Sequence, residues 1–219
     1  MSIPALHPWT INPEEAIRIQ DGLRGKLILE WDGRPIHAVG GIDLSYTQES
    51  VIAAIAVFSY PHLAQLEVVA GEAPLVFPYI PGLLAFRVIP AILAAWEKLT
   101  QKPGLLLVHG QGIAHPRGLG LASHLGLWLN LPSVGVAKTR LYGRANEAGQ
   151  NMGDWSELLD ESDTRQTIGA LLRTRLHAQP VFMSPGHMID LPHAIEFVLS
   201  CSGGYRMPEP IRCARLHRP

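Results

Sequence analysis

The order of its apolar segments is the feature that most constrains how this chain can fold. Strand-like segments run over residues 36–46, 51–58 and 65–70, and only the polar turn Thr47-Gln-Glu-Ser joins the first two. So short a connection predicts a hairpin, and we expect these three strands to pair antiparallel. This pairing argues against a flavodoxin-like or dinucleotide-binding sheet, which is parallel from its first strand. No Gly-x-Gly-x-x-Gly opens a helix either.

The apolar spacing changes after the third strand. A helical pattern over 83–99 is followed by a short strand at 104–108, a helix at about 119–129 and a strand at 133–137. Strands that alternate with helices predict right-handed parallel crossovers. We therefore predict an α/β fold of the ribonuclease H-like type. Its mixed sheet has an antiparallel three-strand meander followed by parallel crossover strands, with helices on both faces.

Composition limits the classes to which the protein can belong. The 219 residues are 47% hydrophobic, which suits one domain over 1–219, but no apolar run is long enough to cross a bilayer. The first residues lack a signal-peptide pattern, and two cysteines make no disulfide framework. We expect a cytoplasmic monomer without membrane partners. Because the net charge is −1, binding of nucleic acid would need local basic clusters.

One acidic residue interrupts the first predicted strand. Asp43 lies between Ile42 and Leu44, so its side chain points to the opposite face from these apolar neighbours. Burying a carboxylate is costly unless it meets a cation, a hydrogen-bond donor or solvent. Asp43 is therefore either a functional group or part of a half-exposed strand face.

A proline-rich loop precedes the first long helix. Pro78 and Pro81 bracket Tyr79 and Ile80. Proline restricts the backbone, so the two bracketed residues are predicted to form a rigid projection, and stiff apolar side chains can wedge between stacked bases. The alternative is a well-packed turn.

A second loop follows the strand that ends at Val108. In parallel sheets, ligands bind at the carboxyl ends of the strands, where glycines allow close approach and a helix start attracts anions. With its histidines and arginine, this loop is predicted to be cationic and to suit a phosphate; the alternative is an ordinary strand–helix connection. It supplies His109, Gly110, Gln111, Gly112, His115 and Arg117.

Two further polar residues stand at predicted strand ends. Lys138 follows the strand over 133–137, and His187 closes Ser184-Pro-Gly-His after the apolar segment 181–183. A lone histidine on a strand is more often structural, but polar groups at several strand ends are expected to converge on one site.

Seven segments, in order along nearly the whole chain, resemble the endonuclease V family, which recognises deaminated bases, chiefly hypoxanthine, in DNA or RNA. They are Gly41-Ile-Asp-Leu-Ser, Phe77-Pro-Tyr-Ile-Pro-Gly-Leu-Leu-Ala-Phe-Arg, Gly110-Gln-Gly-Ile-Ala-His-Pro-Arg, Leu119-Gly-Leu-Ala-Ser-His-Leu-Gly, Gly135-Val-Ala-Lys-Thr-Arg-Leu-Tyr-Gly, Ser184-Pro-Gly-His and Pro208-Glu-Pro-Ile-Arg.

The resemblance implies a ribonuclease H-like fold and a mechanism. Residues 78–81 would be the strand-separating wedge, and a flipped base would enter a pocket near 110–112. The family uses Mg²⁺ or Mn²⁺ to activate water and cuts the second phosphodiester bond 3′ of the lesion. By the resemblance, Asp43 is a catalytic, metal-binding aspartate, and Lys138 and His187 lie near the scissile phosphate. His115 and Arg117 would contact the nucleic-acid backbone.

Two positions depart from the family pattern. Val88 stands where the family carries a catalytic glutamate, and His109 stands where it carries a second metal-binding aspartate. Mg²⁺ prefers oxygen ligands and usually needs one or two carboxylates, whereas histidine suits Mn²⁺ or Zn²⁺ better. The resemblance therefore leaves bound Mg²⁺ or Mn²⁺ in doubt, and we expect metal-dependent cleavage to be impaired.

Three alternatives follow for the function, and whether the chain is an enzyme is left open. Asp43, His109 and His187 could act as acid and base without a metal, for example on a glycosidic bond. The chain could instead bind altered bases without catalysis, or it could have lost its function.

Overall fold

The computed structural model describes residues 5–217. Within that range there are nine strands, β1 Ala38–Tyr46, β2 Ser50–Ser59, β3 Gln65–Pro74, β4 Leu105–His109, β5 Ser133–Ala137, β6 Arg144–Ala145, β7 Trp155–Leu159, β8 Thr167–Leu172 and β9 Val181–His187. The helices are α1 Pro13–Arg24, α2 Leu84–Lys98, α3 Leu121–Leu129, α4 Leu191–Ser200 and α5 Glu209–Leu216.

The strands form one mixed sheet in the order β3-β2-β1-β4-β5-β9-β8-β7-β6. β1 and β3 both pair antiparallel with β2, and the turn between β1 and β2 is closed by a 2.9 Å hydrogen bond from Thr47 N to Ser50 O. β4 pairs parallel with both β1 and β5. The predicted meander, the parallel crossovers and the ribonuclease H-like arrangement are confirmed.

Helices cover both faces of the sheet, as predicted. α2 and α3 pack with Ile42 and Val108 on one face, whereas residues of α4 and α5 join the core cluster on the other. Gly41 allows α5 to approach closely, because a Cβ there would lie 2.0 Å from the carbonyl carbon of Pro210. No helix between residues 5 and 217 has the length and apolar character that crossing a bilayer requires.

The second half of the sheet differs from the sequence prediction. β6, β7 and β8 were not predicted, and β9 extends to His187 instead of ending at Met183. β9 runs antiparallel to β5, with His187 opposite Ser133. Its carboxyl end therefore lies at the edge of the sheet opposite to the carboxyl ends of β1, β4 and β5.

A buried histidine pair joins the N-terminal segment to α3. His7 and His124 approach to 2.8 Å between their Nε2 atoms. Trp9, Phe86 and Trp128 surround the pair. Burial lowers the pKa of His124 to about 3, with a smaller contribution from His7, and burial also lowers the pKa of His7. Both rings are therefore neutral in the folded protein at neutral pH.

We expect His124 to make the protein acid-sensitive. Its folded pKa of about 3 lies below the unfolded value near 6.5, so the stability it contributes is complete above that value and is lost as the pH falls toward 3. Between pH 7.5 and 5, the loss should be about 2 kcal/mol. Urea unfolding of the unsubstituted chain and of His124→Gln at both pH values measures it. Equal losses in the two proteins would exclude His124 as the responsible group.

Candidate active site and nucleic-acid interface

Asp43 and His109 meet at the carboxyl ends of β1 and β4. The register places Ile42 opposite Val108, so the next residues of the two strands are neighbours. Nδ1–H of His109 donates to Oδ1 of Asp43 at 2.5 Å. Asp43 is only 2% exposed, whereas the His109 side chain is 30% exposed. The alternative of a half-exposed strand face is therefore wrong for Asp43, whose buried carboxylate binds an imidazole.

The side chains around this pair do not fit the family's metal. Val88 is fully buried and packs with Ile42 and Val108 in the apolar cluster beneath α2. Between residues 5 and 217 there is no group of three or more His, Cys, Asp or Glu side chains that could hold a metal ion. Mg²⁺ usually needs one or two carboxylates and additional oxygen ligands, and here Oδ1 of Asp43 is already bonded to an imidazole.

The other two predicted catalytic residues lie at opposite edges of the sheet. Lys138 follows β5, two residues beyond Val136, which pairs with His109. It therefore lies at the edge that carries Asp43. His187 is at the far edge, 3% exposed, and its Nδ1 accepts a 3.3 Å hydrogen bond from Ile28 N. The predicted convergence of His187 on this site is wrong, because β9 runs antiparallel to β5.

The proline-rich loop projects one side chain rather than two. Tyr79 is 72% exposed, and both Pro78 and Pro81 are exposed. Ile80 is half-buried and packs against the small apolar cluster that contains Phe77. Projection into solvent is confirmed for Tyr79, whereas Ile80 packs against the protein.

Three donors fix the end of this loop by binding one carbonyl oxygen. Gly82 O accepts from Gln20 Nε2 at 3.0 Å, from His115 Nε2 at 2.9 Å and from Arg117 Nη2 at 2.8 Å. Burial, with a smaller contribution from the charge of Arg117, lowers the pKa of His115 to about 4. The expectation that His115 adds positive charge is therefore wrong. It is a neutral donor that positions the loop.

Of the two glycines after β4, Gly112 allows a close contact within the protein, whereas Gly110 does not require one. A Cβ on Gly112 would lie 2.0 Å from Pro185 O, whereas on Gly110 it would reach only ordinary contact with Leu121, at 3.4 Å. Gly112 O accepts from Gly120 N, at 2.9 Å. The close approach that Gly112 permits in this structure is to the backbone of β9, and the approach of a ligand to Gly112 stays a prediction.

A cavity of about 170 Å³ separates the proline-rich loop from the start of α3. One water needs only about 10–15 Å³, so a much larger group fits. Among the lining residues, Leu84 and Leu141 were not predicted from the sequence, since nothing local distinguishes them from core leucines. The side-chain amide of Gln111 also lines the cavity and makes no hydrogen bond with any residue between 5 and 217. Tyr79 lines the cavity together with Leu84, Gln111 and Leu141.

Tyr46 is a further residue that the sequence did not single out. It ends β1 and is half exposed. Burial raises the pKa of its phenol, with smaller contributions from Arg87, which lowers it, and from Tyr79 and Asp43, which raise it. Tyr46 is thus within electrostatic reach of both the Asp43–His109 pair and the proline-rich loop.

Comparison with known proteins agrees with this geometry. Residues 21–216 match the family model for endonuclease V. An endonuclease V of Trichormus variabilis is 47% identical over 98% of this chain and 97% of its own length. A crystal structure of endonuclease V from Streptomyces avermitilis has a TM-score of 0.89 at 41% identity, covering 98% of this chain and 93% of its own.

A more distant relative has been solved with nucleic acid. Endonuclease V of Ciona intestinalis has a TM-score of 0.80 at 28% identity, over 94% of this chain and 96% of its own, in complex with a 23mer DNA that contains an inosine followed by a ribo-adenosine. Both the family match and the relatives extend over almost the full sequence. The chain belongs to the endonuclease V family.

Proposed function

We propose that this chain recognises deaminated bases of the hypoxanthine type in DNA or RNA and that its Mg²⁺-dependent cleavage of the strand is impaired. The observation that carries the recognition is the exposed Tyr79, held on a proline-stiffened loop beside a cavity of about 170 Å³. The complex of the Ciona intestinalis relative with inosine-containing DNA supports the same substrate class.

Tyr79 would enter the base stack while the altered base turns out of it. Extrusion costs a few kcal/mol, least for a mismatched base or one already in a single strand. The cavity offers Leu84 and Leu141 as apolar contacts and the amide of Gln111 as a hydrogen-bond partner. The three bonds to Gly82 O keep the loop in place, so little conformational entropy is lost when the strand binds.

Impaired cleavage follows from the charge at the sheet edge. Val88 supplies no metal ligand. His109 stands where a second carboxylate is expected, and its imidazole is hydrogen-bonded to Oδ1 of Asp43. Losing about 4 kcal/mol of transition-state stabilisation slows a reaction about a thousandfold. Mg²⁺ and Mn²⁺ remain the cofactors of the family, but this chain keeps too few oxygen ligands to hold Mg²⁺ well.

Tyr79→Ala tests the proposed recognition. Base stacking on an aromatic ring contributes about 1–3 kcal/mol. The preference of the variant for an inosine strand over a matched adenosine strand should therefore be about tenfold smaller than that of the unsubstituted chain. Fluorescence anisotropy in EDTA measures both affinities. Val76→Ala is the control, because Val76 is equally exposed, at 73%, and does not line the cavity. Equal affinity of the unsubstituted chain for the two strands would contradict the proposal.

The Asp43–His109 bond favours a second candidate function, base excision without metal. Asp43 holds Nδ1, which leaves Nε2 of the partly exposed imidazole as the acid–base atom. Nε2 would take a proton from a water molecule as the oxygen of that water bonds to the anomeric carbon. The glycosidic C–N bond would break, and the proton would pass from Nε2 to the departing base.

Release of free base from lesion-bearing oligonucleotides in EDTA tests this second candidate. We expect release by the unsubstituted chain and none by Asp43→Asn, whose neutral side chain stabilises the imidazolium less well. If no common lesion is released, the excision candidate is wrong and recognition without catalysis is the remaining function.

A further inference from the structure

A second cavity lies at the same edge of the sheet as the Asp43–His109 pair. It measures about 440 Å³ and is formed by the segments 147–150 and 177–180 together with the end of β8. β8 and β5 both run antiparallel to β9 and are therefore parallel to each other. Their carboxyl ends consequently share the edge that carries the ends of β1 and β4.

Arg173 gives this cavity a buried positive wall. It is 8% exposed, and its guanidinium donates to the carbonyl oxygens of Gly149, Ala178 and Ala148. None of the salt bridges in the described part of the chain involves it, although Glu147 also lines the cavity. Three of the five N–H donors of an arginine are thus used. A buried charge that has only carbonyl partners is incompletely compensated.

The other polar side chains at the cavity are the Glu147 carboxylate and three hydrogen-bond donors at its mouth. Gln150, His177 and Gln179 are exposed and line the opening. A positive inner wall with amide and imidazole donors around it suits an oxyanion. Arginine binds phosphate oxygens through two parallel N–H groups, which makes a phosphate ester a better match than a single halide-like charge.

The cavity is also connected to the candidate active site. Nη2 of Arg206 donates to Lys138 O at 3.1 Å and to Pro180 O at 3.0 Å, which joins the segment after β5 to the cavity wall. From β4 to β8 there are three strand spacings, or about 14 Å at roughly 4.8 Å each. A helical strand that rises about 3.4 Å per nucleotide covers this distance in about four nucleotides.

We propose that the cavity at Arg173 binds a phosphodiester group of the same nucleic-acid strand, about four nucleotides from the group that lies at His109. The inference rests on the proposed function, since it requires that the chain binds a strand. It adds a contact outside the wedge and the base cavity and predicts that affinity depends on strand length, whatever base the strand carries.

Oligonucleotides of two lengths test this contact by fluorescence anisotropy. One set extends about eight nucleotides on each side of the inosine and the other about two. For the long set, Gln150→Glu should weaken binding about fivefold and Gln150→Lys should tighten it about fivefold. Arg173→Gln should reduce the salt slope by about 0.7, the value for one phosphate of a single strand. None of these changes should affect the short set.

Gln101→Glu and Gln101→Lys are the matched controls, because Gln101 is exposed at the opposite edge of the sheet, before β4. If Arg173→Gln does not fold, the Gln150 pair still decides the question. Identical affinities of both Gln150 variants for the long set would overturn the proposal, as would equal competition by inorganic phosphate for long and short strands. Failure of the proposed function has a different signature, namely no preference for inosine over adenosine in either set.

Discussion

Replacing Val88 with glutamate and His109 with aspartate in one chain is expected to raise Mg²⁺-dependent cleavage of an inosine-containing strand about a thousandfold. The second carboxylate would stand beside Asp43 in the adjacent strand, where the His109 imidazole is now bonded at 2.5 Å. Two adjacent carboxylates repel each other unless a cation lies between them, and that repulsion favours metal binding. Single-turnover cleavage at saturating Mg²⁺ measures the gain.

Val88→Gln with His109→Asn is the control for this double substitution. These side chains match the acids in size and remove the histidine but add no charge, so cleavage should stay slow. Because residue 88 is fully buried in an apolar cluster, the glutamate variant should be less stable in EDTA than in Mg²⁺. A well-folded double variant that gains neither cleavage nor Mg²⁺-dependent stability would show that the two lost acids do not explain the altered site.

Gly112→Ala should destabilise the fold by about 3 kcal/mol or more. The new Cβ would lie 2.0 Å from Pro185 O and 2.8 Å from Ser184 O, which are backbone atoms of β9 that cannot move without disturbing its pairing. Gly110→Ala meets only Leu121 at 3.4 Å and should cost much less. Urea unfolding measures the free energy of unfolding of both variants, which differ only in which of two glycines in the same loop is replaced.

The same two variants separate a structural role from a ligand-binding role. If Gly112 served mainly to let a nucleic-acid backbone approach, Gly112→Ala would fold with nearly normal stability and lose affinity for the strand. We expect the reverse: Gly112→Ala should lower the free energy of unfolding, and the variant molecules that remain folded should bind the strand with nearly normal affinity.

Local patterns were sufficient to predict the first half of the sheet. The short turn at Thr47 fixes an antiparallel pair. The two crossovers follow from alternating strand and helix periods. These features depend on neighbours in sequence, which is why a single chain reveals them.

The direction of β9 and the roles of several loop residues depend on distant contacts and could not be predicted. An apolar segment indicates a strand but not whether it runs parallel or antiparallel, and this choice places His187 at the far edge. The loop pattern placed a charge on His115, whereas burial against Gly82 keeps the ring neutral. β6 has only two residues, too few for any periodic signal.

The candidate site itself was predicted in part. The sequence singled out Asp43 and His109 separately, as an outlying acid and a departure from the family, but their hydrogen bond depends on the register between β1 and β4. Arg173 was not singled out from the sequence, because the strand before it was not predicted and only the cavity around it distinguishes it from a solvated strand end.

Single-turnover incubation of the unsubstituted chain with an inosine-containing strand, in excess Mg²⁺ and in EDTA, tests the altered metal site most directly. Because an imidazole and a valine replace the carboxylates, we predict tight binding of the strand in both conditions and less than about tenfold stimulation of strand cleavage by Mg²⁺. Rapid cleavage that requires Mg²⁺ and disappears in Asp43→Asn would contradict it.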